Sequence, residues 1–271
     1  QNIEWGTPLF ERLPMQEYLD ISGDEVELGV QVGCVYKCSF CMEKIFHPGK
    51  FMLKRPVEDV IEFFRANKYK KYFLDATTFT QDRDWVFDLC SGILNKLDRP
   101  VLWRTVTRVD CVDEEICKAL SKAGCYQIGL GIETLSHDAQ KAVHKVVKED
   151  KVIETFCLLK KQNIRPRGFF ILGLPGQTKD DVFYAMNFIR KHGIDCRWKE
   201  YIPLQEAQKF EKIEEFKMFE KDNFKRFKEI RERHIELLDI LNIKTEEMQQ
   251  NIKNIAKSYT NSQPNNAWNL S

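Results

Sequence analysis

Apolar residues recur with two rhythms between residues 25 and 202. Short runs that alternate polar with apolar positions, or that concentrate β-branched and aromatic residues, predict strands over residues 25–33, 72–75, 101–108, 126–132, 167–172 and 196–202. Between them the spacing lengthens toward the helical period. Pro56 opens one helix at a first-turn position, with Val57, Val60, Ile61, Phe63 and Phe64 as its apolar face. Further helices are predicted over 85–97, 113–122, 136–143, 152–162 and 179–192. Six strands separated by helical segments predict parallel βαβ units and an α/β fold.

The flanks read differently. Residues 1–24 carry Gly6, Pro8, Pro14 and Gly23 among scattered apolar positions, which predicts an irregular lead-in packing on the main domain. After Pro203 the chain turns rich in Lys and Glu, with Phe224, Phe227, Ile230, Leu237, Leu238 and Leu241 at helical spacing. One or two amphipathic helices over 204–257 are expected to cover the edge of the 25–203 domain. Residues 258–271 read as a tail anchored by Trp268.

Composition narrows the possibilities. The 271 residues are 43% hydrophobic and 31% charged with a formal net charge of +1, as in an ordinary globular protein. That balance supplies no global field for nucleic acid or anionic membrane. No run approaches a membrane span, and none resembles a signal peptide. The chain opens on Gln1 rather than Met, as a trimmed or partial product would. Nine cysteines in a chain of this size, three of them within eight positions, point to a metal site in a reducing, cytoplasmic setting rather than to disulfides.

Those three are Cys34, Cys38 and Cys41, spaced C-x3-C-x2-C directly after the first predicted strand. Thiolates so close in sequence can converge on one iron–sulfur cluster, and three protein ligands leave a fourth iron open to bind substrate. A zinc site would need a fourth ligand such as His47, and zinc sites of this type use two well-separated cysteine pairs, of which only one is present. Cys90, Cys111, Cys117, Cys125, Cys157 and Cys196 have no ligand spacing and read mostly as small core residues, with Cys125 and Cys196 lying near strands.

The C-x3-C-x-aromatic-C loop, placed after the first strand of a βα repeat, resembles the radical S-adenosylmethionine (SAM) superfamily. The resemblance runs over roughly residues 25–202. It implies a partial (β/α)6 TIM barrel with a C-terminal helical extension. It also implies a [4Fe–4S] cluster on Cys34, Cys38 and Cys41, with SAM chelating the open iron. One electron then cleaves the sulfonium to methionine and a 5′-deoxyadenosyl radical, which abstracts a hydrogen atom from substrate.

Further positions acquire roles by the same resemblance. Phe40 takes the aromatic position near the adenine. Asp75 and Thr77 stand where many members carry a Gly-Gly-Glu type motif that meets the SAM amino group. That motif is absent here, and the run Asp75-Ala76-Thr77-Thr78-Phe79 is similar to the version in cobalamin-binding members. Arg108, ending the third predicted strand, matches the residue that pairs with the SAM carboxylate; Arg104 competes for the role, and a surface salt bridge is the plain alternative. Glu133, ending the fourth, faces the SAM ribose or else opens the next helix. The glycines of Gly129-Leu130-Gly131 do not form a dinucleotide loop, since the third glycine is missing. Ile171 and Gly173, in the run ending Gly173-Leu174-Pro175-Gly176, would contact the adenosyl group, in a segment that is also a tight turn.

Substrate is far less legible. Tyr36, Trp198, Lys199, Glu200 and Tyr201 are positioned to meet it at the barrel mouth. The expected function is hydrogen abstraction in the biosynthesis of a small molecule or peptide. Radical methylation is an alternative, although the short N-terminal region is too small for a cobalamin domain. Transfer RNA modification lacks a basic domain to support it. No cysteine follows Cys196, so no C-terminal auxiliary cluster is expected. An electron donor such as flavodoxin or ferredoxin is the expected protein partner. A non-enzymatic module would leave the SAM-like positions without a purpose.

Overall fold

The computed structural model describes residues 5–201 apart from Thr7, Pro48 and Lys50. The helices expected over 204–257 and the tail over 258–271 lie outside the described residues. In chain order the elements are α1 (Met15–Ser22), β1 (Glu25–Gly29), β2 (Gln31–Gly33), α2 (Glu43–Phe46), β3 (Met52–Lys54), α3 (Val57–Ala66), β4 (Lys71–Asp75), α4 (Arg83–Lys96), β5 (Trp103–Arg108), α5 (Glu114–Lys122), β6 (Cys125–Glu133), α6 (His137–Ala142), α7 (Glu149–Lys161), β7 (Arg165–Leu172), α8 (Lys179–His192) and β8 (Cys196–Glu200).

Local chemistry accounts for most of these limits. Asp82, Asp113 and Ser136 cap α4, α5 and α6 by accepting backbone N–H bonds from the first turn. Thr178 and Asp181 form a reciprocal capping box on α8, which Gly193 ends in the left-handed region. The lead-in corrects an expectation. It contains a 3-10 turn over Phe10–Arg12 and the helix α1, bracketed by Pro14 and Gly23. No residue of α1 is fully buried, so its apolar periodicity is weak, and only that punctuation marked it. Phe10 nevertheless packs edge-on against Phe63 and Tyr69, at 5.8 and 5.7 Å between ring centroids.

Six strands form one sheet in the order β1-β4-β5-β6-β7-β8, each pair parallel, and β1 and β8 remain its edges. This is the open, partial (β/α)6 barrel. One face of the sheet carries Val26, Leu28, Tyr72, Leu74, Trp103 and Phe170, all buried against the helices. Tyr72 meets Phe64 edge-on at 4.7 Å, and Trp103 lies 5.3 Å from Phe79. Burying each such side chain contributes about 1.5–3 kcal/mol. On the opposite face Arg104 grips both Glu25 carboxylate oxygens at 2.7 and 2.6 Å and lies 4.0 Å over the Phe73 ring, while Tyr126 donates to Glu25 at 3.0 Å.

The first predicted strand is two. Its parallel pairing with β4 ends at Gly29, and Gln31–Gly33 turns away to pair antiparallel with Met52–Lys54. The hinge is Val30, whose N–H donates to the Asp75 carbonyl while its carbonyl accepts from Arg55. This two-stranded ribbon carries the cysteine loop out from the sheet's C-terminal end, where βα loops build barrel sites.

Candidate active site

The loop begins at Gly33, whose φ of +81° suits glycine; a Cβ there would stand 2.4 Å from the Phe51 carbonyl oxygen. Its N–H donates to Glu43 Oε1 at 2.7 Å, and its carbonyl accepts from Gln31 Nε2 at 2.9 Å and Thr77 Oγ1 at 3.0 Å. Gln31 is the hub of this base. It also donates to Thr77 and accepts from Lys54 Nζ at 2.9 Å, and the desolvated Lys54 ammonium is held down to a pKa of about 7 by burial. Farther along, Ser39 N–H donates to the Val143 carbonyl at 3.0 Å, which ties the loop to the end of α6.

So anchored, Cys34, Cys38 and Cys41 line one cavity of about 280 Å³, open solvent included, together with Tyr36, Glu43, His47 and Gly49. Cys34 Sγ lies 3.7 Å from Thr78 Oγ1, and Cys38 Sγ accepts from Arg108 Nη1 at 3.6 Å. Burial pushes the Cys38 thiol up, opposed by the charges of Lys145 and Arg108; burial also raises Cys41. His47 is turned to Glu43, 2.8 Å from Nδ1 to Oε1. Among the described residues no three His, Cys, Asp or Glu side chains converge tightly enough for a single metal ion. Three thiols lining one cavity are a donor set that suits an iron–sulfur cluster, each sulfur binding a different iron.

The remaining expected residues fall into two sets of contacts at the strand ends and the loops beside them. Arg108 ends β5 buried, forked onto Asp110 at 2.9 and 2.7 Å, with its guanidinium 3.9 Å over the Tyr36 ring. It is therefore no surface salt bridge. Burial alone would lower its pKa, but the hydrogen bond and charge of Asp110 raise it above the ordinary value. Arg104, two turns of the pleat earlier and spent on Glu25, is not at the strand's end. Asp75 ends β4; burial and the nearby Glu43 charge raise its carboxyl.

Glu133 ends β6 at a register shift, with φ +68°, buried and paired to the buried Lys145 at 2.7 Å. Lys145 in turn lies 5.9 Å over the Phe40 ring. A left-handed, buried, charged residue at a strand end is strained, and such strain concentrates at functional sites. Phe40, Ile171 and Tyr201 pack against a small cluster of Ala139, Val143 and Leu174. Gly173, at φ +84°, donates its N–H to Gln177 Oε1 at 2.6 Å, and Gln177 donates on to Thr134 and to the Ile171 carbonyl, both at 3.2 Å. The fifth sheet strand's turn is thereby laced to the fourth's end.

Other expectations are corrected. Trp198 is not at the mouth but stacks on Phe170 at 4.9 Å, partly buried against the main core. Cys125 and Cys196 are the first residues of β6 and β8, at the far end of the strands from the cysteine loop. Cys157 is exposed rather than a core residue. Cys111 is the extra cysteine that reaches the site, 3.1 Å from the Tyr36 hydroxyl. Gln31, Lys145 and Gln177 escaped the sequence reading; all are lone polar residues whose partners are brought by folding.

A model of the radical SAM superfamily matches residues 28–189, which holds the cysteine loop and all these strand ends. The chain belongs to the radical SAM superfamily. It is a radical SAM enzyme and uses a [4Fe–4S] cluster and SAM. An uncharacterized methyltransferase of Pyrococcus horikoshii is 30% identical over 205 residues, 72% of this chain and 43% of that protein. A GTP 3′,8-cyclase of Clostridium perfringens is 24% identical over 69% of this chain and 58% of its own length. The chain thus spans only about half the length of these relatives. Among solved structures, the radical SAM methyltransferase TsrM of Kitasatospora setae, with tryptophan and a SAM analogue bound, superposes with a TM-score of 0.62 at 17% identity, over 74% of this chain and 39% of its own. That likeness is one of fold. No helix among the described residues is long and apolar enough to cross a membrane.

Proposed function

We propose that this radical SAM enzyme holds its cluster on Cys34, Cys38 and Cys41 and abstracts hydrogen from a small molecule or peptide in a biosynthetic reaction. The observation that carries the reading is the convergence of those three thiols on one cavity beside the Arg108 guanidinium. When bound, the cluster and SAM supply the one-electron cleavage that yields the 5′-deoxyadenosyl radical. The chain's own residues bind and orient. Asp75 and Thr77 would meet the SAM amino group, and the N–H groups that Arg108 keeps beyond those given to Asp110 and Cys38 would pair with the carboxylate. Glu133, paired with Lys145, would face the ribose. Phe40, Ile171 and the turn at Gly173 would form an apolar wall that keeps water from the adenosyl group. Flavodoxin or ferredoxin fits as electron donor, and nine free thiols suit a reducing cytoplasm.

Radical methylation is the second reading, favoured by the methyltransferase name of the Pyrococcus horikoshii relative. The deciding experiment is anaerobic reconstitution with iron and sulfide, reduction in the presence of SAM, and assay of 5′-deoxyadenosine against Cys38→Ala. Product from the wild type alone supports the reading. Zinc in place of iron would sink it. S-adenosylhomocysteine in place of 5′-deoxyadenosine would move the assignment to methylation.

A further inference from the structure

Arg108 is restrained from three directions, more than recognition of a carboxylate requires. Nε and Nη2 donate to the two oxygens of Asp110 at 2.9 and 2.7 Å, which blocks rotation of the guanidinium in its plane. The Tyr36 ring, 3.9 Å beneath it, blocks tilting. Nη1 is left aimed at Cys38 Sγ, 3.6 Å away. Tyr36 is itself pinned: its hydroxyl donates to Gln81 Oε1 at 2.5 Å and lies 3.1 Å from Cys111 Sγ. Both Arg108 and Cys38 are buried, at 7% and 8% exposure, so solvent screens their interaction little. A planar cation stacked on an aromatic face and forked onto a carboxylate is pre-organised, and it holds its direction whether or not a ligand is present.

We infer that Asp110 and Tyr36 are positioning residues that hold Arg108 against the Cys38 sulfur, and that this clamp raises the reduction potential of a cluster ligated there. The inference rests on the reading that Cys38 is a cluster ligand. Its sign follows from charge. A one-electron donor of low potential makes the cluster and its thiolates one unit more negative, so a fixed cation and an N–H···S bond stabilise the reduced form more than the oxidised one. Hydrogen bonds to cluster sulfurs are among the main determinants of such potentials. Asp110 is half-exposed, 38% against 9% for its partner side chain, so it orients the guanidinium without cancelling the charge at the sulfur.

The test is an anaerobic redox titration of the reconstituted full chain, followed by the EPR signal of the reduced cluster. SAM is left out so that any role of Arg108 in binding it does not enter. At the poise where the wild type is half reduced, Asp110→Asn and Tyr36→Leu are expected to lower the ratio of reduced to oxidised cluster about tenfold, which is a shift of about 59 mV for one electron. Arg108→Gln lowers it at least as far, and adding Asp110→Asn to it changes nothing more. Tyr36→Phe, which keeps the ring, stays within about twofold of wild type, and Arg108→Lys recovers part of the loss. Unchanged midpoints in Asp110→Asn and Tyr36→Leu, with full iron and sulfide, overturn the inference. So does loss of the cluster from both, since the clamp would then build the site rather than tune it. A wild type that holds no iron–sulfur cluster instead defeats the underlying reading of Cys38.

Discussion

Replacing Lys145 with methionine tests how the end of β6 is held in its strained shape. The ammonium and the Glu133 carboxylate meet at 2.7 Å with side chains only 6% and 11% exposed. They fit because residue 131 is glycine: a Cβ there would come within 2.6 Å of both charged atoms. Lys145→Met keeps the length and removes the charge, stranding a buried carboxylate at a left-handed residue, φ +68°. Breaking a buried pair from one side costs about 3–5 kcal/mol. In a domain of this size each kcal/mol shifts Tm by about 2–4 °C, so a fall of about 6–20 °C is expected. Thermal and urea unfolding of the cluster-free chain, kept anaerobic and reduced, would measure it alongside Glu133→Gln and the double variant. The double variant should be more stable than Lys145→Met alone, because its second change removes the stranded charge. Strictly additive losses, or a Lys145→Met variant within about 0.5 kcal/mol of wild type, would refute the reasoning.

Other consequences are as concrete. Burial and the charge of Glu43 raise the Asp75 carboxyl in the native state, so the native chain binds a proton that the unfolded chain has released. Stability therefore falls as pH rises from the ordinary carboxylate value of about 3.9 through the raised native one, and remains lowered above it. Asp75→Asn should accordingly stabilise the cluster-free chain at neutral pH and not in acid below that ordinary value; an equal gain at both would contradict the sign. Gly33→Ala forces a Cβ to 2.4 Å from the Phe51 carbonyl at φ +81°, which should displace the β2–β3 ribbon and sharply lower iron incorporation while far-UV circular dichroism of the sheet persists. Gln177→Ala removes three hydrogen bonds that lace Gly173 and Ile171 to Thr134, and should weaken SAM binding about tenfold, as seen by equilibrium dialysis, with cluster content unchanged.

The alternation of strands and helices, and the parallel pairing it implies, is legible in the residues alone. β1, β4 and β7 alternate buried with more exposed positions, α3, α5 and α8 carry buried apolar stripes, and caps such as Asp82 and Thr178 are local signals. The meeting of three cysteines at one cavity was equally legible, because they lie within one short loop. Features that depend on partners distant along the chain are not legible in the residues alone. The break of the first strand at Val30 hangs on Asp75 and Arg55, and β2 and β3 are three residues each, too short to show a period. Register sends Arg104 and Arg108 to different partners: one side chain is spent on Glu25, and the other reaches Cys38. Among the unassigned cysteines, Cys125 and Cys196 lie near predicted strands. Strand direction sends those to the far end and leaves Cys111, just past the end of β5, as the thiol that meets Tyr36. Lys145, Gln31 and Gln177 share the same cause. A lone polar residue carries no periodicity, and its meaning is set by the buried group it must satisfy once the chain has folded.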